Sequence, residues 1–433
     1  MANPLGIFFS RLAPEERHFI KRIGILLIIL LILSGLGLFF YADIRKILAE
    51  KFDFPEAPAP TDSTMNFDLP PVPEIPGFAE SSSPQKTPKA EVSFEEDFDE
   101  RAHLQLMRQD ASQYNYTKAY RHGARIVSYL LASTDLSAEW GHVLLESGKP
   151  EEAVPVLQEV MLKDSANSKA AIDLAFAMLR SGNADGAIGF LDSLMAKNKD
   201  LNLTVAKAAV IGEHPDTTKR AAAEQIFKSV LKSKQAPPDA SYQYGRFLMQ
   251  RGDYKNSRTY LERAIKANPN EPRYTARLGM AEFYLKQDSK AEALYREALR
   301  INPYDYNTWF NLGELYLSIA NESTRSLEIR QKTHNAFKAY LKAVENDSLH
   351  AGAHYRIGLI LNGNADYRGA IRHLDMALEK FSNSIPVMQQ LSSAYMQLGD
   401  TAKSIDYLEK ILQLDPFDRI AANEYNRIRE KQK

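Results

Sequence analysis

Three patterns of apolar and polar positions follow one another along the chain. Residues 23–41, IGILLIILLILSGLGLFFY, run for nineteen positions without a charge, closed by Lys21 and Arg22 on one side and by Asp43, Arg45 and Lys46 on the other. As a helix rising 1.5 Å per residue, such a stretch spans about 28 Å, close to the hydrocarbon thickness of a bilayer. Phe39, Phe40 and Tyr41 add an aromatic edge of the kind found at membrane interfaces. The pattern predicts one transmembrane helix, with residues 1–22 as a short tail and 42–51 as a juxtamembrane segment. Its apolar core is too long for a signal peptide, and no A-x-A site follows it. Ser34, Gly35 and Gly37 are small enough for two such helices to approach, which leaves a homo-oligomer open.

The second pattern, residues 52–99, has no apolar rhythm. Nine of the 21 prolines fall between residues 52 and 90, beside Ser81, Ser82 and Ser83. That composition cannot bury enough apolar surface to order itself, so it predicts a disordered tether stiffened toward polyproline II. Its acidity and its PP-x-P run (Pro70, Pro71, Pro73) offer the alternative that it recruits something.

From residue 100 onward a period of 34 takes over. Units at 100–133, 134–167, 168–201, 202–237, 238–271, 272–305, 306–350, 351–384 and 385–418 place a small residue at every twentieth position: Ala119, Ala153, Ala187, Ala223, Ser257, Ala291, Ala336, Ala370 and Ser404. The fourth unit has two extra residues and the seventh has eleven, the latter expected to lengthen one helix by about three turns. The eighth position is small in Gly141, Ala175, Gly245, Gly279, Gly313, Gly358 and Ser392, and the twenty-fourth is bulky from Leu157 to Leu408. Gly148, Gly252, Gly399 and Ala365-Asp366 fall where a first helix should end, while Asn268-Pro269, Asn302-Pro303 and Asp415-Pro416 close second helices. Residues 419–433 form a polar closing helix.

Trp309-x2-Leu312-Gly313-x2-Tyr316, followed by Ala336, Tyr340 and Ala343, reproduces the opening W-x2-L-G-x2-Y of the tetratricopeptide repeat. The chain resembles that family. The resemblance implies an all-α fold: a right-handed superhelix (α-solenoid) of about nine helix-turn-helix units, with a concave groove lined by the first helices. It also implies that positions two, five, six, nine, twelve and thirteen of a unit face the groove. In the middle units these include Tyr242, Arg246, Arg273, Arg277, Phe283, Tyr284, Phe310, Asn311, Tyr355 and Arg356. Aromatics and arginines are the residues expected at binding hot spots, and arginine favours carboxylates. The lysine and asparagine clamp of the chaperone-binding members is not complete, since Asn311 lacks its matching lysine, so that ligand is not carried over.

Charge and chemistry narrow the function classes. Of 433 residues none is cysteine, which excludes disulfides, thiolate nucleophiles and cysteine-ligated metals. The net charge of −1 conceals about +3 over residues 1–51, −10 over 52–100 and +6 beyond. A charge of +6 spread over the repeats is no basic stripe, so nucleic acid is not expected. No P-loop, G-x-S-x-G or H-E-x-x-H spacing occurs. His350 and His354 lie four apart without a third ligand, and Ser229-x-x-Lys232 has no partner motif, so neither metal, cofactor nor catalysis is expected. Arg11, Arg17, Lys21 and Arg22 outnumber Arg45, Lys46 and Lys51, which places the amino terminus in the cytoplasm and the repeats outside, in the periplasm if bacterial. The expectation is a non-enzymatic membrane-anchored scaffold that binds proteins or peptides in its groove and touches lipid through residues 23–41. It would serve assembly of a cell-envelope complex. The alternative is a cytoplasm-facing adaptor delivering clients to a membrane-bound protease, chaperone or import machine.

Overall fold

The structure, a computed structural model, describes residues 99–431 apart from residue 198. These belong to one compact unit, Met65–Lys433. The expected anchor at 23–41 and the acidic tether up to residue 98 lie outside the described residues. Among the described residues every regular element is helical, none is a strand, and no helix is long and apolar enough to cross a membrane.

The helices come in pairs. α1 (Glu100–Ser112) pairs with α2 (Tyr116–Gly123), which the single turn α3 (Val127–Leu130) continues. There follow α4 (Thr134–Glu146) with α5 (Pro150–Lys163), α6 (Ser168–Arg180) with α7 (Ala184–Met195), and α8 (Leu201–Gly212) with α9 (Arg220–Leu231). Then come α10 (Pro238–Gln250) with α11 (Tyr254–Ala267), α12 (Pro272–Tyr284) with α13 (Asp288–Ile301), and α14 (Tyr306–Glu322) with α15 (Ser326–Asn346). The last pairs are α16 (Ala351–Gly363) with α17 (Tyr367–Lys380) and α18 (Ile385–Gln397) with α19 (Thr401–Leu414). α20 (Arg419–Lys431) closes the stack, burying Ala421 and Ile428 beside Ile405 and Leu408 of α19. Second helices pack on the first helix of the next pair, and neighbouring first helices also pack side by side, which makes a solenoid.

Local chemistry starts and stops these helices. Asp99, Asn115, Ser133, Asn167, Asn183, Asp253, Asp305, Asp366 and Asp400 each accept a hydrogen bond from first-turn backbone N–H groups that would otherwise lack a partner. At the fifteenth position the chain must reverse, and there the backbone turns left-handed. Gly148, Gly182, Gly252 and Gly399 hold φ of 81°, 85°, 75° and 81°, while Tyr114, Lys286 and Ala365 adopt 61°, 59° and 62° in spite of their Cβ atoms.

Packing explains the small residues. All nine at the twentieth position are at most 1% exposed. The glycines at the eighth position lie under the bulky twenty-fourth side chain of the same pair. A Cβ on Gly141 would come within 2.4 Å of Leu157, one on Gly313 within 2.4 Å of the Tyr340 ring, and one on Gly358 within 2.6 Å of Leu374. In two pairs a serine joins the helices at this crossing: Ser257 Oγ donates to the Gly245 carbonyl at 2.8 Å, and the Ser392 and Ser404 hydroxyls are bonded at 2.9 Å.

Three units depart from the pattern. In the first, Gly123 stands where others have the bulky residue, and the Trp140 ring from α4 fills the space, stacked on Tyr120 at 5.6 Å. The second helix breaks there into α2 and α3. In the fourth, the helices are separated by residues 213–219, held by Lys219 and His214 on Asp185 of α7. In the seventh, the expectation of one lengthened helix is corrected. α14 has 17 residues and α15 has 21, against 13 and 14 in α12 and α13, so the eleven extra residues are shared as about one turn and two turns. Both helices of a pair must lengthen together, or the longer one would leave its apolar face bare.

Candidate functional site

The first helices of early and late pairs confront each other. Burial above all, then the Glu146 carboxylate of α4, raise the Tyr116 hydroxyl pKa, while Arg273 of α12 pulls it back. Burial likewise raises Tyr306 at the start of α14, with Arg180 of α6 opposing. Residues that act on one another across so many units in sequence must share a concave space, and apart from Tyr116, at the start of α2, all lie on first helices.

Along that space the structure divides the ten candidates into two groups. Tyr242 is only 5% exposed, stacked on Tyr274 at 4.6 Å, and it serves packing rather than a partner. Arg246 donates to Gln243 Oε1 at 2.8 Å and to Glu213 at the end of α8, so an internal carboxylate already neutralises it. Arg356 makes a bidentate pair with Glu314 of α14 at 2.7 and 2.6 Å. In these three a neighbouring first helix supplies a partner for the side chain: Tyr274 for Tyr242, Glu213 for Arg246 and Glu314 for Arg356.

The other seven remain accessible. Arg273 is exposed and paired at 2.8 Å with Glu271, the N-cap of its own helix. Arg277 is half-buried, and its only hydrogen-bond contact among the described residues is with Met280 Sδ at 3.6 Å. Tyr284 is 46% exposed and lies flat on Tyr254 at 4.5 Å, with Phe283 beside it. Phe310 on α14 packs between the Tyr340 and His350 rings at 5.6 and 4.9 Å. Asn311 and Tyr355 are half-buried on α14 and α16. The available surface therefore centres on α12 and α14.

Sequence reasoning missed one relationship here. Tyr340 donates its hydroxyl to Glu314 Oε1 at 2.6 Å, so one carboxylate joins Tyr340 to Arg356. In the preceding pair Tyr295 occupies the place of Tyr340, but Met280 occupies the place of Glu314. The Tyr295 hydroxyl is buried without a hydrogen-bond partner. Burial raises its pKa, and the nearby Arg277 charge opposes that rise. Comparing the ninth position across units, Glu314 against Met280, would have exposed this.

The histidines do not form a ligand pair. His350 Nδ1 accepts from the Ala353 amide at 3.0 Å as a helix cap, whereas His354 faces His373. Among the described residues no three His, Asp or Glu side chains converge as metal ligands.

Models of the tetratricopeptide repeat match residues 144–209, 216–272 with 245–306, 294–331, and 385–418. Superkiller complex protein 3 of Homo sapiens is 29% identical over 140 residues, 30% of this chain and 8% of that protein. The BBSome complex member BBS4 homolog of Drosophila melanogaster is 20% identical over 168 residues, 38% of this chain and 34% of the relative. The chain thus spans only a small part of the curated relatives it matches. Among solved structures, a thermophilic TPR protein of Thermus thermophilus is 19% identical with a TM-score of 0.34, covering 44% of this chain and 98% of that one. The human IFIT1 dimer with PPP-AAAA is 14% identical with a TM-score of 0.44, covering 73% and 87%.

Proposed function

We propose that this chain, which carries tetratricopeptide repeats, is a non-enzymatic membrane-anchored scaffold that holds partner proteins or peptides in its concave groove during assembly of a cell-envelope complex. The observation that supports this most is the accessible run of Arg273, Arg277, Tyr284, Phe310 and Asn311 on the neighbouring first helices α12 and α14, beside groove residues whose charges are already satisfied. Interfaces draw their affinity from few residues, enriched in arginine and aromatics, set in partly desolvated positions. Residues 23–41 supply the anchor, and the basic flank before them keeps the amino terminus in the cytoplasm with the repeats on the far side.

Crosslinked co-purification from cells tests the groove. Tyr284→Ala and Arg277→Glu are expected to lose the captured partners with circular dichroism unchanged; full recovery by both variants would refute this choice of face. A reporter fused to the carboxyl terminus tests topology. Signal on the cytoplasmic side would replace the envelope role with that of an adaptor delivering clients to a membrane-bound machine.

A further inference from the structure

The neighbouring pair α14/α15 shows what the groove beside Arg277 lacks. There Glu314 stands between a buried tyrosine hydroxyl and an arginine, and satisfies both. On α12 the same place holds Met280, so Tyr295 keeps a buried hydroxyl without a partner; Asn311 of α14 stands where Arg356 stands beside Glu314, and the cation here is Arg277 of α12 itself, 3.6 Å from the Met280 thioether. At the ninth position of the pair before it stands Arg246, already bound to Glu213, so no carboxylate comes from that side either. A buried hydroxyl and a half-buried guanidinium are each costly without an acceptor, and one carboxylate would serve both. Met280 is unbranched and flexible, the kind of side chain that yields its place.

We propose that this seat receives a carboxylate from the chain's own acidic segment, residues 66–80, so that the groove is covered in cis until a partner displaces it. This rests on the groove reading above. The segment, NFDLPPVPEIPGFAE, carries Asp68, Glu74 and Glu80, the aromatics Phe67 and Phe78, and no lysine or arginine. It matches in charge the arginines of α12, and in character the aromatic surface of Phe283, Tyr284 and Phe310. Its prolines favour the extended form that can lie along a groove. Reach is sufficient. The segment rejoins the array at Asp99, the N-cap of α1, and α1 is about 20 Å long. At its far end Tyr114 and Tyr116 already feel the charges of Glu271 and Arg273. The 18 intervening residues, 81–98, extend to at most about 60 Å. Tethering raises the local concentration of such a segment to the millimolar range, so a weak site is filled in cis.

The test uses the full-length protein and a fluorescein-labelled synthetic peptide copying residues 66–80, read by polarisation. A chain carrying Asp68→Asn, Glu74→Gln and Glu80→Gln should bind the peptide at least tenfold more tightly than the unaltered chain, because its own segment no longer competes. In that neutralised chain, Met280→Glu fills the seat from within and should weaken peptide binding at least tenfold while raising the melting temperature. Arg277→Met should weaken binding as much without that rise. Equal affinity for the unaltered and neutralised chains would overturn the cis occupant; if binding then still depended on Arg277, the seat would belong to a partner's acidic residue and the groove reading would stand. Undiminished binding in both Met280→Glu and Arg277→Met chains would overturn the seat itself. Partner capture is read separately through Tyr284→Ala: loss of partners upholds the groove reading whatever the peptide does, and full recovery overturns it.

Discussion

The imidazoles of His354 and His373 face one another through their Nδ1 atoms, 2.8 Å apart. His354 Nε2 lies 3.0 Å from the Ser348 carbonyl, so that nitrogen carries the hydrogen and its Nδ1 must accept. His373 Nδ1 is therefore the donor, and a second proton between the rings would set two N–H groups against each other. Burial, then the neighbouring His354 and Arg372, lower the His373 pKa to about 4, with Asp366 opposing. Burial also lowers His354, assisted by His350 and opposed by Ser348, Asp347 and Glu379. An unfolded histidine takes its proton near 6.5, so between that value and about 4 the unfolded chain binds more protons than the folded one. Stability from this pair is complete above pH 6.5 and falls as the pH drops, by about 3 kcal/mol for His373 once below 4. Thermal melts at pH 7.5, 5 and 4 should show this loss, and His373→Gln should flatten it.

Close packing at the crossings predicts opposite outcomes for two glycines. Gly313→Ala drives a methyl into the Tyr340 ring and should destabilise by about 1–3 kcal/mol, as overpacked cores do. Gly189, on the exposed face of α7, has nothing within 4 Å of an added Cβ. Gly189→Ala should stabilise by about 0.5–1 kcal/mol through helix propensity alone. Urea melts of the two variants decide between packing and propensity.

The left-handed turns give a second contrast. Lys286 at φ 59° and Ala365 at φ 62° carry a Cβ where their counterparts have glycine. Lys286→Gly and Ala365→Gly should each stabilise by up to about 1 kcal/mol, whereas Gly252→Ala should cost about as much. A rise in melting temperature on replacing a side chain with glycine is rare enough elsewhere to identify this cause.

Removing the shared carboxylate is expected to make the seventh unit resemble the sixth. Glu314→Met leaves the Tyr340 hydroxyl and the Arg356 guanidinium without their common partner. A loss of about 1–3 kcal/mol should follow, mostly from the buried hydroxyl. Denaturant unfolding measures it, and an unchanged midpoint would show that water replaces the carboxylate without penalty.

Much of the architecture was legible because it rests on single positions repeated at one spacing. Ala119, Ala291 and Ala370 are fully buried for the same reason they are small, and the Trp309 to Tyr316 motif announces the crossing it builds. The groove was less legible because its state depends on neighbours many residues away. Nothing near Arg246 in sequence tells that Glu213 reaches it, or that Tyr274 covers Tyr242. The seventh unit's length was visible as a number of residues, but its division between α14 and α15 follows from pairing. Gly123 broke the expected second helix of the first unit because the bulk that belongs there arrives from α4 as Trp140.

The buried apolar side chains do not form one mass. They fall into successive clusters, from Leu104 to Val210, Val205 to Phe247 and Leu248, Tyr242 to Ala281, Ala291 to Leu391, and Met388 to Ile428. Only partly buried side chains border two of them, Phe176, Ile188, Met280, Leu378 and Tyr407 among the described residues. Pulled from its two ends, such a molecule should lengthen like a spring and then yield in stages, one cluster parting while the others hold.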